Sequence, residues 1–458
     1  MMRNTLRGGE ATARLLAPGA SLWFLGIGGV GTSSLARIAR LRGFSVAGED
    51  RRTSVAASFS GTGISVFPEG TPLPAGVFAV IYTAAAPPDH PTVGEAARRG
   101  IPLISRSDFL AYLMRESPIR VTVAGSHGKT TVTAMLDAIF LRASLSPTTV
   151  SGGTLSGGGT FRVGGGGVFL SEACEYTDSF LSLSPTHAVL LNLELDHTDY
   201  FPDFAALSRS AMRYLSGAGV RIVSPSLLPL AGAGDVLTFS SRDRRADLFA
   251  EGVGESEGKT EAELVFRGTT AGKLILPVPG RHNLENALAA ILAAESVGVP
   301  IPLAASALSD VSLPDRRLTL RGRWGGALWY DDYAHHPSEI ASSLSALRPL
   351  CRGSLSVAFQ SHTYSRTRAE LNGFASVLRA ADRVLVLPIF PARETDNLGV
   401  SNESLARAIG CKATAIPDFG RAASELEKAA RPGDVIVVMG AGDVNELFNY
   451  LGSSDGNA

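Results

Sequence analysis

The segment Val121–Thr131 has the composition of a loop that holds a phosphate group. A β-branched run leads into Gly125, Ser126, His127, Gly128, Lys129, Thr130 and Thr131, and an apolar helical pattern follows. In such a strand–loop–helix unit, backbone N–H groups and the positive helix end bind an anion. Lys129 would reach the terminal phosphates and Thr130 would lie on Mg²⁺. Val123 stands where the usual motif has its first glycine, so the sequence predicts a shortened loop.

Polar residues also follow two strands predicted after this loop. Glu172 follows the run Val168–Leu170, and His197 follows the next apolar run. Since the carboxyl ends of parallel strands share one sheet edge, we expect both side chains on the edge that carries Lys129. A carboxylate and an imidazole beside a polyphosphate can ligate Mg²⁺ or orient its ligands. The alternative is structural: Glu172 caps a helix and His197 packs locally.

Two donor-rich strand ends occur later in the chain. Asp331–Pro337 brings together two carboxylates and two imidazoles, which are costly to bury without a purpose. A surface turn is one alternative; a zinc site is disfavoured because no cysteine or third histidine lies at ligand spacing. The second strand end, Phe359–Arg368, contains Arg366, which could clamp a carboxylate or phosphate or could simply be solvated.

A glycine-rich loop near the start of the chain predicts a second anion site. The apolar run Leu22–Leu25 leads into Gly26-Ile27-Gly28-Gly29-Val30-Gly31 and then into a helical pattern. Asp50 follows about 20 residues later, as in a dinucleotide-binding fingerprint. A nicotinamide-dependent oxidoreductase is therefore one reading, although it leaves the Lys129 loop without a role.

Length and composition predict a large α/β protein. With 458 residues, the chain suggests about three domains, and 45% hydrophobic residues suffice for large cores. A net charge of −1 without blocks of like charge argues against nucleic-acid or membrane partners. The three cysteines are too few for a disulfide framework. We found no signal peptide or membrane span, so we expect a cytoplasmic protein.

Alternating strand and helix patterns predict mainly parallel sheets in three domains. We expect a Rossmann-like domain over residues 1–114, a central P-loop ATPase-like domain over 115–313, and a Rossmann-like domain over 314–458. The charged, glycine-rich stretch 240–276 is expected to be irregular, with hairpins on the surface.

The order of these motifs resembles that of the Mur ligases. The resemblance covers about residues 21 to 450, and its most specific parts are the double-histidine strand end and the His127 form of the phosphate loop. The motifs are Gly26–Gly31, Ala124–Thr131, Glu172–Tyr176, Asn192–His197, Gly280–Asn283, Arg316–Arg317, Asp331–Pro337, Phe359–Thr367 and Gly440–Asp443.

The resemblance is strongest to the alanine-adding branch. It implies ATP-dependent joining of L-alanine to UDP-N-acetylmuramate through an acyl phosphate, with release of ADP and phosphate, in peptidoglycan precursor synthesis. ATP and Mg²⁺ are the implied cofactors, and a monomer or weak homodimer is expected. Murein tripeptide ligase, a recycling enzyme, is the nearest alternative, but the stretch that follows Glu172 lacks the longer basic segment associated with it. A non-catalytic nucleotide-binding regulator would not need the metal ligands.

The resemblance also implies residue roles. It assigns Mg²⁺ to Thr130, Glu172 and His197. Catalytic roles fall to Lys129, His197, His336 and Arg366, the last two helping to hold the alanine carboxylate or the intermediate. Nucleotide contacts beyond the phosphate loop are His282, Asn283, Arg317 and Asp332, the last at the ribose. Substrate contacts are Gly26, Gly28, Gly29, Gly31, Asp50, Thr83, His335, His336 and Arg366.

This chain departs from the family at two motif positions. Cys174 replaces a common aspartate, which leaves Glu172 and Glu175 as the plausible carboxylate ligands, and Ala334 replaces a frequent glycine. No lysine is a candidate for the carbamylation found in other branches.

Overall fold

The computed structural model describes residues 5–6, 8–83, 86–87, 89–198, 200–256 and 258–454. The chain forms two compact units. The first comprises residues 1–251, 263–273 and 286–311, and the second comprises residues 252–262, 274–285 and 312–458. The α/β class with mainly parallel sheets is confirmed, whereas the domain boundaries at residues 114 and 313 stay predictions.

The first sheet carries the glycine-rich loop. Its strands, β1 to β6, lie in the order β1-β6-β5-β2-β3-β4 and pair in parallel. Because β2 lies between β3 and β5, the loop after β2 is at the switch point where ligands bind in such sheets. The elements are β1 Thr5–Leu6, α1 Gly9–Ala13, β2 Ser21–Leu25, α2 Val30–Leu41, β3 Ser45–Asp50, α3 Val55–Ser58, β4 Ser65–Pro68, β5 Ala79–Tyr82, α4 Pro91–Arg99, β6 Leu103–Ser105 and α5 Arg106–Met114.

The second sheet carries the phosphate loop on its central strand. Strand β7 pairs in parallel with β10 on one side and β11 on the other, and β12 and β13 extend the sheet beyond β11. The elements are β7 Ile119–Ala124, α6 Lys129–Arg142, β8 Thr148–Val150, β9 Phe161–Arg162, β10 Val168–Glu172, a 3-10 helix Tyr176–Ser182, β11 His187–Leu190, α7 Phe204–Ser216, β12 Val220–Val223, a 3-10 helix Pro225–Leu227, α8 Leu228–Ala231 and β13 Asp235–Ser240.

The stretch after β13 is regular, so the expectation of an irregular segment is wrong. It forms β14 Leu248–Ser256, β15 Lys259–Phe266 and β16 Thr269–Leu276. In β15, buried Thr260, Ala262 and Leu264 alternate with more exposed charged residues. This period of two is the strand signal, which the charges and glycines obscured. Helices α9 Arg281–Ser296 and α10 Ile301–Ala307 follow.

The third sheet has the order β17-β18-β22-β19-β20-β21. Only its edge strand β17 is antiparallel; β22 is buried along its whole length, as expected of a parallel strand covered on both faces. The elements are β17 Thr319–Trp324, β18 Ala327–Asp332, α11 Pro337–Leu347, a 3-10 helix Arg348–Leu350, β19 Leu355–Phe359, α12 Tyr364–Ala369, α13 Leu371–Leu378, β20 Arg383–Val386, α14 Asn402–Ile409, β21 Ala413–Ala415, α15 Phe419–Ala429, β22 Val435–Met439 and a 3-10 helix Val444–Tyr450. None of the helices among the described residues is long and apolar enough to cross a bilayer.

Candidate functional site

The phosphate loop is the four-residue connection between β7 and α6. Gly128 has φ +87°, and a Cβ there would lie 2.5 Å from Oδ1 of Asn286, so the turn requires glycine. Gly125 also has a positive φ, +142°. Val123 lies inside β7 and pairs with the neighbouring strands, which explains why the usual first glycine is absent. Thr130 and Thr131 form the first turn of α6.

Lys129 is held by this loop and by a buried carboxylate. Its Nζ donates to the carbonyl oxygen of Gly125 at 2.5 Å and lies 3.0 Å from Oε2 of Glu175. Burial has the largest single effect and would lower the pKa of Lys129. The charge and hydrogen bond of Glu175, together with the charges of Cys174 and Glu172, outweigh it, and the net pKa is raised. The ammonium therefore stays charged where an anion would bind.

Glu175 also approaches His197, whose Nε2 lies 3.9 Å from Oε1 of Glu175. Glu172, the last residue of β10, accepts a hydrogen bond from the backbone N–H of Gly152 at 2.5 Å. Sequence reasoning placed Glu172 first among the carboxylates, whereas the structure puts Glu175 between Lys129 and the imidazole. The structure therefore brings one carboxylate, Glu175, to the imidazole of His197, and these are donor types that suit Mg²⁺ or Mn²⁺. Among the described residues, Glu172, Glu175 and His197 do not all have ligand atoms within 4.8 Å of one another.

Left-handed backbone conformations surround this group. His197 has φ +56°, and Thr177 and Asp178 have φ +54° and +58°. The carboxylate of Asp178 accepts hydrogen bonds from the hydroxyls of Tyr200, at 2.9 Å, and of Ser210. Such conformations persist only where surrounding contacts hold them, and they are frequent at functional sites. At His197 this conformation sets the direction in which the imidazole leaves the backbone.

The glycine-rich loop of the first sheet is closed by Asp50. Oδ2 of Asp50 accepts from the N–H of Gly28 at 2.8 Å, and a Cβ on Gly28 would lie 2.5 Å from Val55. Gly29 is the N-cap of α2, and Thr83 lies beside Gly26. A backbone free of side chains can approach a pyrophosphate closely.

Sequence reasoning missed Arg106 at this loop. Its guanidinium lies 3.1 Å from the position of a Cβ on Gly31. The available signal was weak: one arginine directly after a short strand.

In the second unit, Asp332 ends β18 as a buried carboxylate. The backbone N–H of Leu318 donates to its Oδ1 at 3.4 Å, and the hydroxyl of Ser343 donates to its Oδ2. Burial raises the pKa of Asp332 to about 6, although Ser343 and Arg317 oppose the shift. The carboxylate is therefore poised to accept hydrogen bonds from ligand hydroxyls above that pH.

Two neutral imidazoles share this environment. Burial lowers the pKa of His282 and of His335 to about 4 each. Nδ1 of His335 lies 3.0 Å from the carbonyl oxygen of Tyr333 and 3.3 Å from Oε2 of Glu339. Both neighbours are acceptors, so Nδ1 carries the proton and Nε2 is the acceptor nitrogen.

Glu339 is the residue of this site that sequence reasoning missed. Its charge acts on His282, Asp332 and His335, and Arg317 acts on the same three groups. The charge of Arg366 also acts on His335. The structure thus brings these predicted residues together around Glu339. An acidic residue in the first turn of a helix was the available signal.

The remaining predicted residues of this unit have clear local positions. His336 is the N-cap of α11, with Nδ1 2.8 Å from Oγ of Ser338. Asn283 donates to the carbonyl oxygen of Pro279 at 2.8 Å. The turn after β22 is held by Arg316, which donates to the carbonyl oxygens of Gly440 and Gly442. Ligand roles for these side chains stay predictions.

Comparison with known proteins matches almost the whole chain to one family. Three family models match: Mur ligase family, catalytic domain, over residues 21–118; Mur ligase middle domain over 123–294; and Mur ligase, glutamate ligase domain, over 316–442. The chain is 37% identical to the UDP-N-acetylmuramate–L-alanine ligase of Lachnospira eligens, covering 93% of this chain and 97% of the relative. It is 36% identical to the ligase of that name from Acetivibrio thermocellus, covering 93% and 94%.

Solved structures show the same fold. The UDP-N-acetylmuramate–alanine ligase of Thermotoga maritima superposes with a TM-score of 0.78 at 24% identity, covering 94% of this chain and 98% of that one. A murein peptide ligase from Psychrobacter arcticus gives 0.69 at 24% identity, with the same coverage. The three matched models and the relatives above one-third identity agree, and the chain belongs to the Mur ligase family.

Proposed function

We propose that this chain joins L-alanine to UDP-N-acetylmuramate with conversion of ATP to ADP and phosphate, in peptidoglycan precursor synthesis. The observation that supports this proposal most strongly is similarity to UDP-N-acetylmuramate–L-alanine ligases, which match 93% of the chain at 36 to 37% identity. The arrangement of Lys129, Glu175 and His197 supports it, because a non-catalytic nucleotide binder has no need of metal ligands beside its phosphate loop.

The chemistry requires activation of a carboxylate, which is a poor electrophile. A carboxylate oxygen of the sugar's lactyl group attacks the γ-phosphorus, the bond to ADP breaks, and an acyl phosphate forms. The alanine amine then attacks the carbonyl carbon, loses a proton, and phosphate leaves with the electron pair of the broken C–O bond. Lys129 stabilises charge on the transferring phosphoryl oxygens.

The other residues bind and orient. Thr130, Glu172 and His197 would hold Mg²⁺, and Glu175, which lies beside His197, would add a carboxylate. The ion would neutralise charge at the phosphates. Asp332 would accept hydrogen bonds from the ribose, with His282 and Asn283 at the adenine. His336 and Arg366 would hold the alanine carboxylate, and the glycine-rich loop would hold the UDP sugar.

Phosphate release from ATP tests the proposal. We expect release with UDP-N-acetylmuramate and L-alanine, and none when the murein tripeptide replaces alanine. Preference for the tripeptide would favour the recycling ligase. NADH binding, detected by a change in absorbance, would favour the oxidoreductase hypothesis.

Gly28→Val is expected to raise KM for UDP-N-acetylmuramate at least about tenfold and to leave KM for ATP near the wild-type value. The added side chain would overlap Val55 and displace Asp50, which closes the loop. Steady-state kinetics with each substrate varied in turn measures both constants. Gly165→Val is the matched control, because nothing lies within 4 Å of a Cβ there. Equal effects on the two KM values would contradict the proposal that this loop binds the UDP sugar.

Asp332→Asn is expected to reduce the preference for ATP over 2′-deoxy-ATP by about tenfold, because an amide accepts fewer hydroxyl hydrogen bonds than a carboxylate. The pKa of about 6 lies above the ordinary 3.8, so the carboxylate form is lost as pH falls through 6. In the wild type, KM for ATP should therefore rise below pH 6, and the variant should lack that rise. Asp331→Asn is the control, since Asp331 is buried against Arg316. An unchanged sugar preference in Asp332→Asn would contradict the ribose assignment.

A further inference from the structure

The first residues after β11, up to Glu194, are hydrogen-bonded to the phosphate loop. The N–H of Ser126 donates to the carbonyl oxygen of Asn192 at 3.3 Å. The hydroxyl of Ser126 donates to the carbonyl oxygen of Glu194 at 3.0 Å and accepts from its N–H at 2.9 Å. We call residues Asn192–Glu194 the loop clamp.

The side chain of Asn192 makes the most directional contact of the clamp. Its Oδ1 accepts from the N–H of His127 at 2.9 Å, and its Nδ2 donates to the carbonyl oxygen of the same residue at 3.0 Å. The amide therefore fixes both polar groups of one residue, as a neighbouring strand would. Only asparagine and glutamine carry a carboxamide, whose donor and acceptor lie side by side, and glutamine is one methylene longer.

This contact decides which backbone groups of the loop can face a phosphate. The N–H of His127 is occupied by Asn192, so the anion is left to the groups that follow it, at Gly128 and the start of α6. A loop of only four residues has little internal bonding with which to hold this arrangement. The clamp supplies the constraint from outside the loop.

The clamp also joins the phosphate loop to the candidate metal ligand. His197 lies five residues after Asn192 on the same segment, and Leu191, just before the clamp, donates its N–H to the carbonyl oxygen of Ala124 at 3.0 Å. We propose that Asn192 is a positioning residue that holds the phosphate loop in register with the segment carrying His197, so that phosphate and divalent cation bind together. The metal role of His197 rests on the proposed function; the clamp geometry does not.

Binding of ADP, measured by calorimetry with and without Mg²⁺, tests this role without turnover. Asn192→Leu removes both hydrogen bonds at similar volume. We expect it to weaken Mg²⁺–ADP binding about tenfold or more and to shrink the gain in affinity that Mg²⁺ gives the wild type. KM for UDP-N-acetylmuramate should change less than about twofold. Asn192→Asp keeps the acceptor but opposes the carbonyl oxygen of His127, so it should show the same defect.

Asn402→Leu is the matched control. Asn402 is buried and donates two hydrogen bonds to backbone carbonyl oxygens in the second unit, to Val386 and Ile416 at 3.2 Å each. The Asn402→Leu variant should have a lower thermal unfolding midpoint, whereas its affinity for Mg²⁺–ADP should stay within about twofold of the wild-type value. Wild-type binding by Asn192→Leu, or equal binding losses in the Asn192 and Asn402 variants, would overturn the proposal. Should Asn192→Leu not fold, Asn192→Asp and Ser126→Ala give the same readout. If Asn192→Leu weakens Mg²⁺–ADP binding as expected but the wild-type protein does not ligate L-alanine, the proposed function is refuted and the role of Asn192 is supported.

Discussion

Lys129→Ala is expected to slow ligation by about 10²- to 10³-fold, the usual loss when one transition-state charge partner is removed. The ammonium lies against the loop carbonyl of Gly125 and beside Glu175, where the developing phosphoryl charge would be. Alanine also leaves Glu175 buried without its cation, so the variant should be less stable. Coupled detection of ADP gives the rate, and circular dichroism on heating gives the stability.

Two further variants separate charge stabilisation from folding. The double variant Lys129→Ala with Glu175→Gln removes the unpaired charge, so it should regain stability and remain inactive. Lys412→Ala is the matched lysine, because Lys412 also donates to two backbone carbonyl oxygens, at 3.1 Å each, but lies in the second unit. Near wild-type turnover in Lys129→Ala would refute the assignment of this loop.

His197→Ala is expected to lower activity by about 10- to 100-fold at low Mg²⁺, the typical cost of disturbing a metal's ligand shell. Excess Mg²⁺, or Mn²⁺, should restore part of the rate, because the carboxylates Glu172 and Glu175 remain. Initial rates over a titration of each metal measure the effect.

His187→Ala is the control for His197. His187 lies at the start of β11 with Nδ1 2.9 Å from the hydroxyl of Thr186, and burial lowers its pKa. Its loss should affect stability and not metal dependence. The opposite result is a residual rate of His197→Ala that is independent of metal concentration, with one ionisation lost from its pH–rate profile. That result would identify His197 as a proton-transfer group.

Local sequence patterns were sufficient to predict the fold class and the positions of the two glycine-containing loops, after β2 and after β7. Leu35, Ile38 and Ala39 are buried on α2 as the helical period predicts, and Asp50 closes the glycine-rich loop from the expected distance along the chain. These features depend on periodicity and on glycine conformation, which are properties of short segments.

Side-chain partnerships were beyond the same reasoning. Glu172 and Glu175 are three residues apart, and the structure shows that Glu175 contacts Lys129, at 3.0 Å. The chain then makes a left-handed turn at Thr177 and Asp178. Non-glycine residues rarely adopt that conformation, so residue propensities in the sequence do not predict it. Likewise, the pairing of Asn192 with His127 joins residues 65 positions apart, and it becomes visible only once β7 and β11 are neighbours.

The place of β7 in its sheet has a consequence for synthesis on the ribosome. Both neighbours of this strand come later in the chain: β10 ends at Glu172 and β11 at Leu190. A nascent chain that has just released the phosphate-loop sequence therefore lacks the strands that shape it. Because domains fold as units during synthesis, the loop acquires its folded conformation only after the segment through His197 has left the exit tunnel. Until then the apolar β7 is an unpaired strand, exposed to association with other chains.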